Sequence, residues 1–227
     1  MTSIERTIDQ FHRRLEGDEH HRYRSWGHCF RWFRQRKRIR FEQGIEHSAL
    51  QLGFYLASWG MYRGSGSGFL LWKDYRIHRY AVRELLKPKY DRLLRIDFNS
   101  QREAEAALPP IFALVAALRT AYVSHAGTVN GRRKGVKVTD TLVTKILLAA
   151  FGCTPAYDWY FVKGLRSRGL AFSGFNETHF AELCEFYRNH ATEFHGVQRR
   201  IHENGIRYPV MKLVDMYFWE VGRGISK

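Results

Sequence analysis

Between Thr139 and Leu165 the chain reads as two helices with a hard stop between them, and that stretch constrains the rest. Leu142, Ile146, Leu147 and Ala150 recur at helical spacing, so the first helix buries one face. Gly152 supplies a left-handed C-terminal cap, and Thr154-Pro155 restarts the chain as N-cap and first helical residue. Asp158 falls just inside that new start, where free N–H groups and the helix dipole would hold a carboxylate ionised. Two roles fit the position. It either stabilises a helix end or presents a charge to a ligand.

The remaining chain repeats the helical pattern. Thr2-Ser3-Ile4-Glu5 is a capping box that starts a helix to about Leu15. Ser25 caps a second, whose buried stripe is Trp26, Cys29, Phe30 and Phe33. Gly44 to Trp59 is apolar enough for a central helix. Further helices are expected over Phe69 to Leu86, Tyr90 to Ile96, and Arg102 to Tyr122, the last with a kink at Pro109-Pro110. A long one runs from Phe175 to about Asn204, and an apolar one from Tyr208-Pro209 through Trp219. One segment differs: Asn130-Gly131 between Val129 and Val136 is a hairpin signal, with Arg132, Arg133 and Lys134 at its tip. The expected architecture is all-α: one helical domain over residues 1–227, with room for two lobes meeting near Trp59 and Asp158. A small basic hairpin around 128–138 completes it.

Charge points to a class of partner. The formal net charge is +15, a field that attracts polyanions and opposes compaction when unpartnered. Double-stranded DNA is the leading partner and a membrane surface the second. No apolar run reaches spanning length, because even Ile111 to Ala117 is cut short by Arg119. The first sixteen residues lack the apolar core of a signal peptide, and Cys29, Cys153 and Cys184 are scattered, so reduced thiols in a cytoplasm are expected. Arg34, Arg36, Lys37, Arg38 and Arg40 form a basic ladder with few acids nearby, which suits either a solvated face or a phosphate contact. His20, His21 and His28 lack ligand spacing, so no metal is expected.

Ser58 to Gly68 is the oddest segment: four glycines and three serines with Trp59 and Arg63. It is either a connector or a pocket wall, with Trp59 to stack on a ring and Ser58, Arg63 and Ser65 to bond a sugar or phosphate.

Lys145-Ile-Leu-Leu-Ala-Ala-Phe-Gly-Cys-Thr-Pro-Ala-Tyr-Asp158 resembles the segment in relatives of the helix-hairpin-helix DNA glycosylases. There, a lysine-bearing helix leads through a turn with proline to an aspartate that opens the next helix. The small, basic, helical chain is also similar in character to bacterial phage-defence glycosylases that excise glucosylated hydroxymethylcytosine. The resemblance implies Asp158 as the carboxylate that stabilises a cationic sugar and orients water. A flipped base would be held by rings among Trp59, Tyr157, Trp159 and Tyr160. Lys145 would act either as a nucleophile on the sugar or, beside an exposed Thr144, as a phosphate contact. No cofactor is implied. A rival lies in Arg188-Asn189-His190-Ala-Thr-Glu-Phe-His195, which resembles the Arg-polar-x-His signature of helical toxin ribonucleases. A non-catalytic DNA-binding module, resting on charge alone, is the third reading.

Overall fold

Helix follows helix along the chain because apolar residues keep returning at 3.6-residue spacing, and the computed structural model shows them paired face to face. It describes residues 3–63, 68–128, 136–203 and 205–225. Among these the chain is one all-α domain of ten α-helices with short 3₁₀ pieces. The sole strands described, β1 (His202–Glu203) and β2 (Ile206–Arg207), form one antiparallel pair. Most of the expected hairpin, residues 129–135, lies outside the described residues, and with it Arg132, Arg133 and Lys134.

Two groups of helices meet. One comprises α2 (Arg24–Arg34), α3 (Glu42–Ser58), α4 (His78–Leu85), α5 (Gln101–His125) and α6 (Asp140–Ala150). The other comprises α1 (Ile4–Glu16), α7 (Trp159–Ser167), α8 (Glu177–Asn189), α9 (Ala191–Arg200) and α10 (Val210–Gly224). Packing of α5 on α8 joins them. The backbones of α7 and α10 almost touch: a Cβ on Gly164 would lie 2.0 Å from the Phe218 carbonyl oxygen, and one on Gly222 1.8 Å from that of Tyr160. Only glycine permits this approach. It brings Trp219 edge-on to Tyr160, with centroids 5.3 Å apart.

Several boundaries differ from the sequence expectation. Tyr23, not Ser25, occupies the N-cap of α2, and the Ser25 hydroxyl bonds back to Arg22 O at 2.7 Å. Phe69 to Leu86 is two 3₁₀ turns, Phe69–Trp72 and Tyr75–Ile77, followed by α4. The expected helix to Asn204 is broken at His190, which ends α8 and precedes α9. Helix α5 runs on through Pro109 and Pro110. By length and composition α5 could cross a membrane, against the expectation that no segment could. Here its buried residues pack against α4, α6 and α8.

A buried imidazole fixes the turn after α3. His78 Nε2 and Nδ1 lie 2.7 Å from the hydroxyls of Tyr62 and Tyr122 respectively. Burial lowers its pKa to about 3, so the ring stays neutral and bridges the two phenols. The turn carrying Trp59 is thereby tied to α4 and α5.

Candidate active site

Gly152 does end α6 in the left-handed conformation, at φ 66°. The restart differs from expectation. Residues 153–157 are not helical, and Asp158 is itself the N-cap of α7, accepting the Phe161 N–H at 3.1 Å. An aspartate is among the best caps because its short carboxylate reaches the free N–H groups of the first turn. The intervening loop is held by buried bonds: Ala156 N donates to Asp215 Oδ1 at 2.9 Å and Tyr157 N to Thr144 Oγ1 at 3.0 Å.

Lys145 points from α6 toward that cap. Its Nζ lies 3.5 Å from Asp158 Oδ2, donates to Trp59 O at 3.2 Å, and sits 5.4 Å from the Trp59 ring centroid. The phosphate-contact expectation for Lys145 does not hold. Thr144 is fully buried rather than exposed, and Lys145 is buried with it. Burial lowers the Lys145 pKa, while Asp158 and then Asp215 oppose the shift. Burial likewise raises the Asp158 pKa; Lys145 pulls it down and Asp215 pushes it up. The helix start alone therefore does not keep this carboxylate strongly acidic, as the sequence suggested. Desolvation is the larger effect.

The pair opens into a pocket of about 310 Å³. Its apolar and aromatic wall is Trp59, Met61, Trp159, Tyr160 and Trp219, and its polar side is Arg22, Thr139 and Thr141. Trp59 stacks on Tyr23 at 5.0 Å, so one of its faces is already covered. Trp159, next to Asp158, is 74 % exposed and stands at the mouth.

Not every expected site residue joins. Trp59, Trp159, Tyr160, Asp158 and Lys145 do. Tyr157 is a core residue: its ring packs on Phe161, Phe172 and Phe175. The Ser58 hydroxyl bonds back to Phe54 O at 2.9 Å. Arg63 is exposed and does not line the pocket, and Ser65 lies outside the described residues. Arg22, Thr139, Thr141, Met61 and Trp219 line it without having been anticipated. Trp219 sits in a helix buried on nearly all sides, so nothing in its pattern set it apart.

The basic ladder divides in two. Arg36 is buried, donates to Leu85 O at 3.1 Å, pairs with Asp91 at 3.3 Å and lies over Phe151. Arg40 pairs with Asp91 at 2.5 Å and donates to Leu86 O at 2.7 Å. Both are structural rather than free for phosphate. Arg34, Lys37 and Arg38 remain exposed. The ribonuclease residues do not share a cleft: His195 Nε2 lies 2.9 Å from the Tyr187 hydroxyl, whereas Arg188 lines a separate groove with Glu105, Glu182 and Glu185. His20, His21 and His28 form no metal-holding cluster among the described residues.

No family model matches the chain, and no curated protein and no solved structure matches it either.

Proposed function

We propose that the chain is a DNA glycosylase, which takes one nucleotide out of a duplex and hydrolyses the bond between base and sugar. The observation that carries this reading is the Lys145–Asp158 pair, 3.5 Å apart in an aromatic pocket of about 310 Å³ on a chain of net charge +15. That volume is at the small end for ligand sites, and the pocket is open, so a flipped base fits inside while a sugar attached to it extends along the polar side toward the mouth. Exposed Trp159 and pocket-lining Tyr160 offer the ring surfaces that hold an extruded base.

The chemistry follows from the two charges. As the bond from C1′ to the base nitrogen breaks, its electron pair leaves with the base and positive charge grows on the sugar. Asp158, ionised, stabilises that charge and takes a proton from the water that attacks C1′. Its raised pKa makes it a better base than a free aspartate. Burial lowers the Lys145 pKa, which favours its nucleophilic amine form; that amine can add to the C1′ aldehyde of the resulting abasic sugar and expel water, giving an imine. The resemblance to helix-hairpin-helix glycosylases supports the same pairing of a helix lysine with an aspartate at the next helix start.

The substrate we propose is a modified base of phage DNA, glucosylated hydroxymethylcytosine, removed in the cytoplasm as antiviral defence. The polar side of the pocket, Arg22, Thr139 and Thr141, supplies partners for sugar hydroxyls. A purely DNA-binding module would leave the buried pair without a role. The test is to incubate the protein with unmodified DNA, glucosylated phage DNA and RNA, scoring abasic sites and strand breaks separately. Abasic sites in phage DNA alone are expected; cleavage of RNA, or no base release from any DNA, would overturn the reading.

A further inference from the structure

The segment Pro88–Arg95 is a 3₁₀ helix of eight residues, whereas such helices rarely exceed three or four. With three residues per turn, its side chains fall into three straight rows. Tyr90 and Leu93 form the buried row. Asp91 and Leu94, half-buried, form the second. The third is Lys89, Arg92 and Arg95, all exposed. A rise of about 2 Å per residue spaces consecutive cations of that row by about 6 Å.

Arg92 and Arg95 form one wall of a groove of about 700 Å³, and Arg34, the last residue of α2, with Lys37 and Arg38 just after it, line it too. Asp91 is the one acid in the lining, and Arg36 and Arg40 already hold it at 3.3 and 2.5 Å. Buried Arg36 and half-buried Arg40 therefore neutralise the acid and leave five outer cations unopposed. Among the described residues none of those five forms an ion pair. Concentrating them in one groove costs self-repulsion unless an anion enters.

We propose that this groove is a phosphate-binding channel for a nucleic-acid backbone, a second contact with the DNA whose base enters the pocket. The proposal rests on the DNA reading above. Helix α2 links the two places: Arg22, just before it, lines the pocket, and Arg34, its last residue, lines the groove. Eleven residues rising about 1.5 Å each span roughly 16 Å, or about five base-pair steps at 3.4 Å. Guanidinium groups suit phosphate because they donate in pairs. A membrane surface is disfavoured, because the groove is concave and carries no exposed large apolar side chain to enter a bilayer.

The experiment measures affinity of the full-length chain for an unmodified DNA duplex over roughly 50 to 200 mM salt. It compares wild type with the double variants Arg92→Gln/Arg95→Gln and Lys37→Gln/Arg38→Gln, each checked for an unchanged melting temperature. Each pair should reduce the slope of log affinity against log salt by about two units, since each phosphate contact contributes about 0.9. Unchanged slopes in both would overturn the proposal. So would loss of binding to anionic phosphatidylserine vesicles with DNA affinity intact. Base release from glucosylated phage DNA is scored in parallel. Wild type that releases bases with unaltered variant slopes condemns the channel alone; reduced slopes without any base release condemn the glycosylase reading alone.

Discussion

Lys145–Asp158 and Lys212–Asp215 bring their ammonium groups to 5.4 and 5.6 Å from the same Trp59 ring, yet they are built differently. Lys212 and Asp215 are one turn apart on α10, 2.8 Å from each other, and almost sealed from solvent. Lys145 and Asp158 come from different helices, stand 3.5 Å apart, and leave the aspartate side chain 17 % exposed against 6 % for Asp215. Each carboxylate also accepts one backbone N–H, Phe161 for Asp158 and Ala156 for Asp215. The tight pair is a mount. Through Ala156 it fixes the loop that ends in Asp158. The loose pair faces the pocket, where a ligand can come between its charges.

The largest expected effect separates the two pairs by stability. Lys212→Met strands the buried Asp215 charge and should cost roughly 3–5 kcal/mol in denaturant unfolding. Lys145→Met should cost less than half as much, because Asp158 reaches pocket water and keeps its cap bond. Equal losses would erase the distinction.

Next is the amine itself. Borohydride should trap wild type on an abasic duplex by reducing the imine, and Lys145→Gln should lower the yield roughly a hundredfold. An adduct persisting in Lys145→Gln would move the nucleophile elsewhere.

The pH profile is a smaller test of the same pair. Burial holds the Asp158 carboxyl above its ordinary value of 3.8, and the ionised form is the working one. Base release should therefore fall about tenfold per pH unit below that raised value, at higher pH than for a free aspartate. A rate flat down to the ordinary aspartate range would mean that the pocket does not desolvate this group.

The smallest effect concerns a ring assigned to the core. The Tyr157 hydroxyl is buried and has no hydrogen-bond partner among the described residues. Tyr157→Phe removes that unpaired group and should change stability by no more than about 1 kcal/mol, in the stabilising direction. Base release should be unaltered; a large loss would return Tyr157 to the pocket.

What the sequence made legible was local. Gly152 as a left-handed stop and a lysine helix leading to Asp158 follow from spacing and backbone preference, which neighbouring residues decide. Arg36 and Arg40 misled because their partner, Asp91, lies about fifty residues away and is brought near only by the fold. The 3₁₀ helix at Pro88–Arg95 hid a period of three inside a stretch expected to be a short helical piece. Trp219 and Arg22 were hidden differently. One sits in a helix that is buried nearly all round and the other in a polar connector, so only tertiary packing brings them to the pocket.

The most direct measurement sets Asp158→Asn beside Asp215→Asn, recording melting temperature and single-turnover base release from glucosylated DNA. Asparagine caps a helix about as well as aspartate, so Asp158→Asn should melt within a degree or two of wild type yet release bases at least a thousandfold more slowly. Asp215→Asn should melt several degrees lower and, below that temperature, keep measurable release. Wild-type turnover by Asp158→Asn, or a collapse of its fold with Asp215→Asn intact, would contradict the assignment of chemistry to the pocket pair and support to the buried one.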